Sequence, residues 1–459
     1  MRLGYAFVLL SSALAGCTAP DSAVRPPEND LYYPTGIAVS PDDALLFVTN
    51  ANSDLSYDSG SVSVLDLAKI DQYATDWSVN KVIDTEPVKA GSSDAGCKQD
   101  PDHTETLVCD NTDDLVASRF MLPNSAARIG NFATAIAVQD TGAGTFRLIV
   151  PTRGDPSVAW IDWDGSKLSC NADGQGFELC DDEHRLSYVH NDPDIGYLPE
   201  EPFDVYASST GDYAVVTHLT TGAVTLVDSQ PGRPAVIADV AVGLFAVDQI
   251  TGIEGSTGVS ARVVPGADDI IYVGARSEDR IQTFTVGRPI NNAEPYLVQG
   301  NYFFLDSVGG NAGSSADTRG LTFSPTGDQM YLINREPPSL QVFDTSLKTT
   351  GFPANKGIGA TDICRQASKL TSFDSGAGER IYITCFSDGQ VYVVDPRGQS
   401  YVEDIIDVGR GPYAVAAAPS RKKIYVTNFL ENTIAVIDVA PDSPTRNRVV
   451  LRIGEVKAP

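Results

Sequence analysis

One pattern recurs along the chain: an aromatic or β-branched strand, a polar turn, and an alternating strand that closes on Asp. Such self-similarity restricts a chain to architectures that stack or radially repeat one unit, because a single unit cannot bury its apolar face alone. The copies lie at 45–67, 147–163, 213–229, 270–286, 329–345, 380–396 and 424–439. They close on Asp66, Asp162, Asp228, Asp344, Asp395 and Asp438, with Thr285 in the fourth. A carboxylate there can accept from backbone N–H groups at the start of a turn, so the residue type has a structural explanation.

Ahead of most copies lies a further strand with a turn signal, as in "PTGIAVSPDDA" (34–44), "TRGLTFSPTGD" (318–328) and "GPYAVAAAPSRK" (411–422). Behind most lies a fourth, such as "NKVIDT" (80–85) and "YVEDIIDVG" (401–409). Four antiparallel strands per unit in seven units describe an all-β, seven-bladed β-propeller, expected over 34–459. The closing positions step by 96, 66, 57, 59, 51 and 43 residues, so the early blades are expected to carry insertions. These fall near 86–127 and 164–200 and are expected as loops elaborating one face. The sequence leaves open whether "NRVVLRIGE" stays in the last blade or pairs with the first to close the ring.

The phrases "FVTN" (47–50) and "YVTN" (425–428), followed by "SVSVLD" and "TIAVID", resemble the YVTN family of bacterial β-propellers, also called YncE-like. The resemblance spans most of Tyr33 to Ile453 and is most specific in the first and last units. It implies a seven-bladed fold in an exported protein and no single reaction, since fold and function separate here.

Residues 1–17, "MRLGYAFVLLSSALAGC", hold a charge at Arg2, an apolar run from Leu3 to Leu10, and small residues ending at Cys17. That is a secretory signal, too short to span a bilayer. Leu14-Ala15-Gly16-Cys17 resembles the bacterial lipoprotein cleavage box, which implies lipidation at Cys17. Thr18, where an Asp would favour inner-membrane retention, directs the expectation to the outer membrane or cell surface. Residues 18–33 read as a flexible tether. Membrane contact is expected through the lipid alone.

The other six cysteines fall as close pairs, Cys97–Cys109, Cys170–Cys180 and Cys364–Cys385, and in an exported chain they read as disulfides. None has the spacing of a redox or haem site. A formal charge of -27 would repel a polyanion across much of the surface, so no nucleic-acid partner is expected.

Nucleophile-elbow, zinc-helix, phosphate-loop and dinucleotide motifs are absent from the sequence. The position just after each second strand reads Ala51, Arg153, Leu219, Arg276, Arg335, Phe386 and Phe429. Three arginines at one repeat position either pair with carboxylates of neighbouring blades or share an anion, which guanidinium groups bind through paired hydrogen bonds. One residue earlier, His218 stands where other units have Asn50, Asn334 and Asn428. It is either a hydrogen-bonded substitute for that Asn or a base at the channel mouth. Asp162, Asp164, Asn171, Asp173, Asp181, Asp182 and Glu183 are oxygen donors of the kind a structural calcium takes, without EF-hand spacing. "RGD" at 153–155 reads as a turn.

The expectation is a monomeric, lipid-anchored scaffold whose face binds a cell-envelope protein or a small anionic ligand, with no cofactor beyond that calcium. Bacterial propellers of seven blades include lactonases. The alternative is therefore a hydrolase in which Arg153, Arg276 and Arg335 hold a sugar-derived lactone and His218 activates water.

Overall fold

In the computed structural model every one of the seven copies forms the second and third strands of a blade. The structure describes residues 24–80, 82–83, 86–87, 96–109, 119–171, 177–188, 196–246, 254–290, 294–305, 317–397 and 401–454. Cys17, Asp173 and His190 lie outside them. Each blade is built on four antiparallel strands. The innermost are Pro34–Val39, Ala137–Gly142, Pro202–Ala207, Ser256–Arg262, Thr318–Phe323, Ala367–Asp374 and Pro412–Ala418, for blades 1 to 7. The protein is a seven-bladed β-propeller. Among the described residues no helix is long and apolar enough to cross a membrane.

Period-two alternation explains the packing. Strand side chains point to opposite faces of a blade, and both faces are covered by neighbours, so the middle strands read as nearly continuous apolar runs. One apolar cluster fills each blade interface. The recurrent aromatic of the second strand is part of this: Phe47, Tyr272, Tyr331 and Tyr425 are fully buried.

The closing Asp residues behave as their position suggests. Asp344, Asp395 and Asp438 accept from the N–H two residues on, at Ser346, Arg397 and Ala440. Hydrogen bonds to the ionised form hold all three below the usual carboxylate range, against the opposing effect of burial. Asp66 instead caps a helix, Leu67–Thr75, accepting from Ala68 and Lys69 N–H. Asp162 departs from the pattern and grips Arg147 through two bonds of 2.7 and 2.9 Å.

All three disulfides form in the expected pairs. Two expectations are corrected. "NKVIDT" is not the fourth strand of blade 1; Val82–Ile83 pairs with Glu86–Pro87, and the fourth strand is Ala127–Ile129, delivered after the first insertion. That insertion is also not confined to a face. Its hairpin, Cys97–Gln99 and Leu107–Cys109, lies at the outer edge of blade 7, where Leu107–Cys109 runs parallel to the last strand, Arg448–Ile453. Ring closure thus has a double answer: the C-terminal strand stays in blade 7, and a piece of the first unit reaches across to cover its edge. Thr106 Oγ1 donates to Val449 O at 2.6 Å, Gly454 N–H to Cys109 O at 2.9 Å, and Arg452 pairs with Asp100 at 3.2 Å.

Candidate functional site

In six blades the innermost strand slips register where it passes the end of the second strand. In blade 3 the pairing jumps from Pro202–His218 to Val205–Val216; in blade 6 from Ala367–Cys385 to Leu370–Ile383; in blade 7 from Pro412–Asn428 to Val415–Val426. Blades 1, 4 and 5 shift at the matching place. Bulges of this kind re-aim side chains. The residues released, among them Phe203, Asp204, Arg319, Lys369 and Tyr413, ring the end of the central channel.

The threonine of "YVTN" holds the bulge. Thr49, Thr217, Thr384 and Thr427 accept from the displaced N–H of Gly36, Asp204, Lys369 and Ala414 at 2.7–3.1 Å. Three of them also donate to the next blade: Thr217 to Thr257 O, Thr384 to Tyr413 O and Thr427 to Thr35 O. Thr35, Thr134 and Thr257 do the same for blades 1, 2 and 4, reaching Ala133 O, Phe203 O and Thr318 O. In blade 5 the donor is Arg335 Nε, 2.9 Å from Ala367 O. A closed ring of hydrogen bonds therefore joins all seven blades beneath the mouth. Thr427→Val, which keeps the shape, is expected to cost about 1–2 kcal/mol by stranding Ala414 N–H and Thr35 O. Urea unfolding checks this, and an unchanged midpoint would show that the ring contributes nothing.

The channel is closed by charge. Lys369 of blade 6 meets Asp204 of blade 3 at 2.6 Å, across the lumen. Phe203 lies below two cations, 5.4 Å from Lys369 Nζ and 5.9 Å from the Arg319 guanidinium carbon. The mouth is consequently a floored depression.

The repeat-position arginines stand around it in unequal states. Arg153 is paired with Glu201 at 2.6 Å, a carboxylate delivered just before blade 3. Arg335 binds the backbone of blade 6 as above and Ser368 Oγ at 3.3 Å. Burial, with the charge of Arg319 next, pushes its guanidinium down to about 10. Arg276 makes no side-chain hydrogen bond or ion pair among the described residues, and burial and then Arg319 lower it from its ordinary value. Arg319 is neutralised by Asp317 at 2.8 Å. Among the described residues Arg276 and Arg335 therefore form no ion pair; Asp317 reaches both, and Glu201 reaches Arg276, only at longer range. Across blades 6, 7 and 1 the same rim is aromatic: Phe429 lies 6.1 Å from Phe386, 6.3 Å from Tyr413 and 5.2 Å from Tyr33.

His218 does not join this cluster. It is fully buried, with Nδ1 3.1 Å from Glu200 O and Nε2 2.8 Å from Thr225 Oγ1, and neither nitrogen is free to take a ligand or a proton from one. Burial pushes its imidazole down to about 4. It fills the place of Asn428, whose Nδ2 bridges Val408 O and Thr433 Oγ1 in the same way.

Four of the carboxylates in the calcium expectation are engaged by protein donors. Asp162 holds Arg147, Asp164 holds Ser166 and Lys167 N–H, Asp181 holds His184 at 2.6 Å, and Asp182 holds Arg185. Glu183 contributes its carbonyl to Trp160 Nε1. Among the described residues no group of three or more His, Cys, Asp or Glu side chains could hold a metal ion. In "RGD", Asp155 pairs with Arg185 and Arg153 with Glu201.

Sequence reading missed Asp204, Lys369, Arg319 and Tyr413, because their convergence depends on bulges that release them from the ladder. The recurrent Thr was the available signal.

No protein-family model matches the chain, and no curated protein matches it. Solved structures match in fold. A periplasmic gluconolactonase from Pseudomonas aeruginosa is 16% identical, with TM-score 0.51, over 82% of this chain and 86% of that one. A protein described as a putative 6-phosphogluconolactonase from Bacteroides fragilis is 15% identical, with TM-score 0.52, over 72% and 89%. Hydrazine synthase from Kuenenia stuttgartiensis is 15% identical, with TM-score 0.50, over 93% and 100%. At these identities the likeness is one of fold.

Proposed function

We propose that this propeller is an exported, YVTN-type protein, anchored by lipid at Cys17 to the cell envelope, that binds a small anion at the mouth of its channel without turning it over. The observation that carries the reading is the pair Arg276 and Arg335: two partly buried guanidinium groups beside Arg319 and Arg153 that form no ion pair among the described residues, the nearby Asp317 and Glu201 being held by Arg319 and Arg153, in a chain of formal charge -27. Crowded, partly desolvated cations raise the free energy of the empty site, and an anion relieves that repulsion through charge-assisted hydrogen bonds. Lipid anchoring rests on the Leu14–Cys17 box alone.

The expected result is a rise in melting temperature of the soluble domain with gluconate or citrate. Saturation at a hundredfold excess over Kd corresponds to about 2.7 kcal/mol. Arg276→Ala, which removes no described ion pair, should leave the ligand-free midpoint near wild type and abolish the rise. An equal rise in the variant would move the site elsewhere. Lactone hydrolysis needs a base beside the anion, and His218 is sealed. Saturable release of acid from gluconolactone in a pH-stat would replace the binding reading with the hydrolytic one.

A further inference from the structure

The aromatic half of the mouth continues into a hollow of about 570 Å³ between blades 6 and 7, a size typical of small-ligand sites. Phe386 and Leu430 wall it. Its floor includes the bare backbone of Gly389, Gly409 and Gly411, where a Cβ would intrude: one on Gly411 would lie 2.8 Å from Leu430 Cγ, and one on Gly389 2.9 Å from Gly409 O. Asp388 and Asp407 stand at its rim, joined by Asp102 from the turn of the inserted hairpin. Asp407 receives Gln390 Nε2 on one oxygen at 2.9 Å. The hollow adjoins the cationic side directly, since Arg335 grips Ala367 and Ser368 while the preceding Gln366 accepts from Phe386 N–H.

Each part limits the ligand. A ring face offers a flat apolar surface to C–H groups, carboxylates accept from hydroxyls, and guanidinium groups take a carboxylate in a paired bond. A purely apolar ligand would offer Asp388 and Asp407 no hydrogen bond; Arg410 and Arg452 also line the hollow but are paired with Glu431 and Asp100, so the acceptors at its rim call for hydroxyl donors. A hydroxylated ring carrying a carboxylate farther along satisfies all three. We infer that the chain takes a short acidic saccharide, with one sugar carboxylate at Arg276 and Arg335 and the adjoining ring stacked on Phe386, its hydroxyls donating to Asp388 and Asp407. The carboxylate end rests on the anion reading above; the hollow does not.

Titration calorimetry on the soluble domain with galacturonate, digalacturonate and neutral galactobiose separates the two. Digalacturonate is expected to bind about tenfold or more tightly than the monomer, and Phe386→Ala to remove that gain while leaving galacturonate unchanged. Asp388→Ala, at an exposed turn position, should act in the same direction and guards against a folding defect in the first variant. Arg276→Ala should weaken both uronates. Equal affinity for monomer and dimer, insensitive to Phe386→Ala and Asp388→Ala, overturns the saccharide inference and leaves the anion site standing. Galactobiose binding as tightly as digalacturonate, unaffected by Arg276→Ala, overturns the anion reading and leaves the hollow. Absence of binding by all three overturns both.

Discussion

Leu107→Ala is expected to lower the unfolding free energy by about 2–5 kcal/mol, although the residue belongs to a three-residue strand inside an insertion. The reason is where that strand goes. Leu107 is fully buried in the cluster between blades 7 and 1, with Leu31, Leu46, Leu451 and Ile453. Truncating it leaves a void where the last blade's outer edge is covered, and strands on both sides are held by pairing that limits collapse. Val242→Ala, at an exposed position, is the control and should stay within about 0.5 kcal/mol of wild type. Urea unfolding of both variants is the measurement. Equal midpoints would show that the inserted hairpin is an appendage to the cooperative fold.

Acidification should expose His218. Its folded-state value is about 4 against 6.5 for the free side chain, because the ring is desolvated. The unfolded chain therefore binds a proton that the folded chain refuses. The stability at stake is fully present above about pH 6.5 and is lost as pH falls toward and through 4, reaching about 3 kcal/mol there. His218→Asn, which restores the residue used at Asn50 and Asn428, should remove that slope while changing stability little at pH 7.5. The lowered carboxylates, Asp344, Asp395 and Asp438, begin to lose their contribution as pH falls toward the ordinary carboxylate value, but equally in both proteins, so the difference between the two profiles isolates the histidine. Unfolding free energies of both proteins at pH 7.5 and 4 decide it; parallel profiles would mean the histidine titrates without hindrance.

What was legible in the sequence was whatever repeats locally. The seven strand pairs, the cysteine pairs and the turn role of Asp344, Asp395 and Asp438 all depend on neighbours within a few tens of residues, and each appears in the structure. Contacts between units were harder to read. "NKVIDT" has a strand's composition, yet the first blade takes Ala127–Ile129 as its fourth strand and spends the intervening chain on blade 7. Arg335 was grouped with Arg153 and Arg276 by position, but its Nε replaces a threonine hydroxyl in the ring of inter-blade hydrogen bonds. Asp204 and Lys369 carry no motif at all, since they meet only because blades 3 and 6 face each other across the channel.

The hairpin that covers blade 7 also bears on the order of folding. Thr106 and Val449 are 343 residues apart, and Thr427 and Thr35 are 392 apart. Bringing such ends together in an open coil costs on the order of 5 kcal/mol in chain entropy. Once blades 2 to 6 stand in an arc, their geometry brings the same ends together. Sealing is therefore the late, non-local step of a high-contact-order fold, and until it occurs the facing surfaces of the first and last blades, including Leu46 and Tyr425, have no partner. For a chain synthesised from its N-terminus, the first unit must wait for the last strand, Arg448–Ile453, before its own core is dry.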